Sequence, residues 1–147
     1  MVYLEESLHT FRISCLLSST VTLGCASEKA LLLLLEAYTK ALEPIRAAKF
    51  LKVTEGKMIR QQFDVFQKRL DDHLKGKLDR DLQADLETRL MGVFSMIREG
   101  RNDAGHPTGL VPEREVCYSY LTVFPSYLRK VYDPIGWLDR QAAGTLA

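Results

Sequence analysis

The sequence predicts an all-α protein, a bundle of four to five helices in an up-and-down arrangement. Three observations carry this prediction. Apolar residues recur at helical spacing over several long stretches. No strand-like alternation, internal repeat or low-complexity tract occurs. From residue 3 to about residue 42 the chain holds no proline and a single glycine, Gly24. At 147 residues it is expected to form one domain over 1–140, large enough to bury a proper core. Residues 141–147 are expected to be a frayed tail.

The first helical stretch becomes strongly apolar from Cys15 onward. Lys29, Glu36, Lys40 and Glu43 lie close to one stripe, and residues 31–35 with Ala37 and Tyr38 cover the rest. A helix apolar on most sides is a central, buried one. Pro44 ends it, and its first ten or so residues could form a separate short helix; the pattern does not decide this. The second helix carries Ile59, Phe63, Phe66, Leu70 and His73 or Leu74 at steps of three and four, until Gly76 interrupts it. The third shows Leu78, Leu82, Leu86, Leu90, Val93 or Phe94, and Ile97. It should span 79–104, roughly 39 Å at 1.5 Å per residue. Gly105 is then expected as a left-handed cap, with Pro107 pushing His106 out of helical geometry. A fourth helix should start near Pro112 and carry Val116, Tyr120, Val123, Phe124, Tyr127 and Val131, with Pro125 kinking or restarting it.

Composition narrows the function classes. Apolar and charged contents of 46% and 27% are ordinary for a soluble globular protein. The net charge of +1 excludes a chain that is basic overall, so nucleic-acid contact must come from a local patch or from oligomerisation. Three widely spaced cysteines, Cys15, Cys25 and Cys117, argue against a disulfide framework and for a reducing, cytoplasmic location. The start MVYLEESL has acids where a signal peptide carries positive charge, and no apolar run approaches the roughly 20 residues of a membrane span.

The polar stretch REGRNDAGHPTG, residues 98–109, stands between two patterned helices. By composition it is a connector. Two features point beyond that. Gly100 lies within the helical pattern, where it costs about 1 kcal/mol relative to Ala, and Asn102 is a mediocre helix former there. Arg98, Asn102 and His106 are spaced by four, and Arg101 follows Arg98 by three, so all four tend toward one side of the helix end. They offer a fixed cation, an amide and a group that titrates near neutrality.

Arg101-Asn102-Asp103-Ala104-Gly105-His106 resembles the R-x(4–6)-H motif of HEPN domains (higher eukaryotes and prokaryotes nucleotide-binding), including the Asn that often follows the Arg. LGCASEKALLLLLEAY, residues 23–38, is similar to the long helix preceding that motif in prokaryotic members. The resemblance implies an all-helical HEPN-like fold and a metal-independent endoribonuclease of a toxin–antitoxin or abortive-infection system. It would act on RNA as a homodimer whose two motifs face each other across one cleft, with no cofactor and no metal. The partners it implies are the RNA substrate and a cognate antitoxin or larger defence complex. Other HEPN domains are non-catalytic dimerisation or nucleotide-binding modules, which is the alternative reading. Some antitoxins modify a Tyr two residues after the motif His; here Thr108 takes that place, so the resemblance implies no adenylylation at it.

The residue chemistry runs in parallel. Metal-free RNA cleavage needs a base for the ribose 2′-hydroxyl, a cation for the developing phosphorane and an acid for the leaving 5′ oxygen. His106 can serve as base or acid, and Arg101 presents a planar fork to phosphate. One chain supplies one such His, and a symmetric dimer supplies two. Asn102 would orient His106 or bind phosphate. Glu28 is either a boundary ion pair or the carboxylate that holds Arg101 or Arg98. Asp103 reads as a solvated helix-end residue rather than an acid catalyst. Lys57, Arg60, Lys68 and Arg69 read as a solvated face that could track RNA. His9 and His73 sit in helical patterns, no Cys or His pair has zinc spacing, and Cys117 reads as a small core residue.

Overall fold

A computed structural model describes the backbone of residues 2–74, 90–107 and 111–140, and their side chains apart from those of 70–74. The described residues form six α-helices and no strand: α1 (Val2–Arg12), α2 (Leu16–Ala41), α3 (Pro44–Thr54), α4 (Ile59–Leu74), α5 (Met91–Gly105) and α6 (Arg114–Asp139). Gly76, Leu78, Leu82, Leu86, Thr108 and the 141–147 tail lie outside the described residues, as do the side chains of Leu70, His73 and Leu74.

The first apolar stretch is two helices. It breaks at residues 13–15, where Ser14 takes a left-handed φ of 61°. The chain then folds back, so α1 lies antiparallel on α2. Small residues let the two backbones approach: Ser7 Oγ donates to the Ser19 carbonyl at 2.8 Å, and Ser19 Oγ donates to the Ser7 carbonyl at 2.9 Å. Arg114, at the start of α6, secures the turn. Its guanidinium donates to Ser14 Oγ at 3.1 Å and lies 4.3 Å from the Phe11 ring centroid.

Pro44 ends the α2 segment and also opens α3, as a first-turn proline can. The sequence pattern does not announce α3, because it anchors mainly by Phe50 while Ile45, Leu51 and Val53 stay exposed. Phe50 and Phe66 meet Tyr38 edge-on at 5.2 and 5.0 Å between centroids, and Phe63 lies 5.3 Å from Phe66. These aromatics join Leu31, Leu34 and Phe94 in one core.

α2 is the hub: every other described helix packs against it, as its nearly all-round apolarity requires. It runs in the same sense as α6. Thr20 Oγ1 lies 3.1 Å from Cys117 Sγ, and further along both helices Tyr127 Oη donates to the Ser27 carbonyl at 2.8 Å. Four strictly alternating long helices would have opposed these two. Burial drives the Tyr127 phenol well above the ordinary tyrosine range. Ser27 Oγ, buried beside this bond, has no hydrogen-bond partner. Ser27→Ala therefore loses no hydrogen bond, and thermal unfolding should show stability unchanged or raised by up to about 1 kcal/mol.

Two expectations about helix ends are corrected. Gly105 is not a left-handed cap: it closes α5, and among the described glycines only Gly56 has positive φ. His106 leaves the helix instead, at φ −80° and ψ 137°, because a residue before proline is driven to extended geometry. α6 starts at Arg114 rather than at Pro112, and it continues through Pro125 and Pro134 without restarting. Each proline removes one backbone donor, but Phe124, Tyr127, Val131 and Leu138 hold the inner face in the core.

Candidate functional site

The last turn of α5 and the first half of α2 form the site. The stem of Arg101 crosses α2 at Gly24, where a side-chain Cβ would collide with Arg101 Cβ and Cγ. One turn on, along the same side of α2, Glu28 Oε2 stands 3.5 Å from Arg101 Nη2. From the other side, Asn102 Oδ1 accepts a hydrogen bond from Arg101 Nη1 at 3.1 Å. The guanidinium is thus held by three neighbours: a slot for its stem, a carboxylate and an amide. With the two side chains 36% and 25% exposed, the Arg101–Glu28 pair contributes at most about 1 kcal/mol to stability. Its effect is to fix where the guanidinium sits.

Beside this group lies an open cleft of about 590 Å³, lined by Val21, Arg101, Asn102, Gly105 and His106. His106 is exposed just past the helix end. The structure therefore brings Arg101, Asn102 and His106 to one cleft, with Glu28 behind Arg101. Asn102 contacts Arg101, not His106. Arg98 is half-buried one turn back and does not line the cleft. Asp103 is exposed, and its backbone carbonyl accepts the His106 N–H at 3.4 Å.

Gly100 has a packing role. A Cβ there would lie 2.6 Å from Tyr120 Cε2 and 2.8 Å from its hydroxyl oxygen, so α6 approaches α5 only because the position is bare. Burial raises the Tyr120 phenol above its usual range, helped by the carboxylates of Asp103 and Glu99 and by Cys117. On helix propensity alone, Gly100→Ala would stabilise by about 1 kcal/mol. The clash instead predicts a loss of about 1–3 kcal/mol in chemical denaturation, largely relieved by Tyr120→Ala in the same chain.

The basic residues of α4 separate. Arg69 turns toward Phe50, 5.5 Å from its ring centroid, whereas Arg60 reaches α5 and donates to Ser95 Oγ at 3.3 Å. Lys57 and Lys68 are exposed. Cys117 is buried, Cys25 is half-buried and Cys15 is exposed, all as free thiols. Among the described residues, no three His, Cys, Asp or Glu side chains cluster as a metal-ligand set, and no helix is long and apolar enough to cross a membrane. A second cavity, of about 270 Å³ between α1, α2 and α6, is apolar and carries only Lys29 as a charged group. Polar chemistry therefore concentrates at the α5 cleft.

No family model matches the chain, and comparisons with curated proteins and with solved structures return no match. The resemblance to HEPN domains rests on the motif residues and on the all-helical class.

Proposed function

We propose that this protein is a metal-independent endoribonuclease of the HEPN type, working as a homodimer in a toxin–antitoxin or defence setting. The observation that carries the reading is the fixed Arg101 guanidinium, held by Glu28 and Asn102 at the edge of the cleft that exposes His106. In this reading His106 takes the proton from a ribose 2′-hydroxyl. The 2′-oxygen forms a bond to phosphorus, and Arg101 meets the negative charge that builds on the phosphorane. The bond to the 5′-oxygen breaks as His106 of the partner subunit returns a proton to it. The products are a 2′,3′-cyclic phosphate and a free 5′-hydroxyl. Leu17, 40% exposed, and Val21 precede Gly24 and Glu28 on one side of α2 and offer an apolar border for the two-fold contact.

The test is cleavage of oligoribonucleotides in EDTA, with products read by mass spectrometry. Cyclic-phosphate ends from RNA, and no cutting of DNA, are expected because DNA lacks the attacking oxygen. Cleavage that needs Mg²⁺ overturns the mechanism. The second reading, a non-catalytic dimerisation or nucleotide-binding module, draws on Arg101 already having its charge offset by Glu28. A folded dimer that binds RNA and never cuts it would be that module.

A further inference from the structure

We propose that Arg60 and Arg98 form a second phosphate subsite, which leads a single strand of RNA out of the Arg101–His106 cleft along α5. The proposal rests on the ribonuclease reading for the identity of the ligand, but its geometry is separate from the cleft.

Arg60 belongs to α4, yet its guanidinium is fastened over α5 by the 3.3 Å bond to Ser95 Oγ. Ser95, Arg98 and Asn102 follow one another at i, i+3 and i+7, which places them along one side of α5. From Ser95 to Asn102 the helix rises about 10 Å. That is room for two to three backbone phosphates at the ~3.4 Å axial spacing of a stacked strand. Arg60 thus marks one end of a line whose other end is the cleft, with Arg98 between them.

Charge decides which cations on this line can recruit an anion. Arg101 is already paired with Glu28. No described carboxylate lies within ion-pair distance of Arg60 or Arg98. In a chain of net charge +1, these two are the cations beside the cleft whose charge is uncommitted. The acids nearby bound the line rather than cross it. Glu99 and Asp103 sit about 40–80° further round α5, on the side away from Arg98, and Asp64 lies one turn along α4 from Arg60. A polyanion following α5 is therefore held on the Arg98 side. Guanidinium groups suit phosphate because they present two donors in one plane.

The test is equilibrium binding of fluorescent 2′-O-methyl oligonucleotides, which lack the attacking hydroxyl and stay intact on the wild-type protein. A dinucleotide covers the cleft alone, and an octanucleotide reaches Arg60. For the octanucleotide, Arg60→Gln and Arg98→Gln should each reduce the slope of log K against log salt by about 0.7, the value for one single-strand phosphate. Each should weaken binding about fourfold near 0.15 M salt, as that slope implies. Dinucleotide binding should be unchanged, and Lys52→Gln on α3 should alter neither ligand. Unchanged octanucleotide binding and slope in both variants overturn the proposal, as does an equal loss for the dinucleotide. If the octanucleotide behaves as expected but the unmodified RNA is never cleaved, the subsite stands and the ribonuclease reading falls.

Discussion

His106→Ala is expected to lower RNA cleavage by about 10²–10⁴-fold, the usual worth of a positioned acid–base group, while the melting temperature stays where it was. His106 is exposed and lies past the end of α5, so its imidazole supports no core packing. Arg101→Ala should also cripple cleavage. Its stability cost should stay near 1 kcal/mol, because the ion pair it loses is partly solvated. The measurements are single-turnover cleavage of a labelled oligoribonucleotide and thermal unfolding of the same samples. Full activity in His106→Ala removes the residue from the mechanism, and a large fall in melting temperature would mean that the activity loss reports unfolding instead.

Gly24→Ala is expected to reduce cleavage by about 10²-fold, although residue 24 lies on a different helix from the motif. Its methyl group would occupy the space of the Arg101 stem, so the guanidinium must leave Glu28 and Asn102. Misplacing a catalytic group by about 1 Å can cost that much. A double-mutant cycle separates this from general damage. If Gly24 acts through Arg101, then Gly24→Ala adds no further activity loss in an Arg101→Ala background. The double variant should also be more stable than Gly24→Ala alone, because the collision is gone and Ala is the better helix former. Additive activity losses would show that Gly24 acts by another route.

The helical class and the buried character of α2 were legible because apolar spacing reports which sides of a helix are covered. Phe63, Phe66, Phe94, Ile97, Tyr127 and Val131 all lie in the core where their periodicity put them. α3 escaped notice because one buried aromatic among exposed aliphatics leaves no stripe to read. The break at residues 13–15 turns on a single Ser in left-handed geometry, which residue type does not announce. At the cleft, the spacing of Arg101, Asn102 and His106 told which residues converge. It could not tell that Asn102 faces Arg101, since that depends on rotamers. Gly100 reads differently once Tyr120 is beside it: a helix-weakening glycine reports a close approach by another helix. Gly24 did leave a signal, as the lone glycine of a long apolar helix, one turn before Glu28. Its partner is 77 positions away in the chain, so no local pattern could supply it.

The central position of α2 has a consequence for biosynthesis. Its contacts with α6 join residues 97 and 100 positions apart, such as Thr20 with Cys117 and Ser27 with Tyr127. The helix with the most apolar surface is thus made early, and the helix that covers much of it is made last. At roughly 5–20 residues per second on the ribosome, α2 waits about 5–20 s for α6. During that interval α1 can shield one side of it, by the reciprocal Ser7–Ser19 bonds, and the rest is open to chaperones or to other nascent chains. Ribosome-bound chains stopped before residue 114 should therefore be degraded by protease far faster than full-length chains, with protection arriving in one step as α6 is completed.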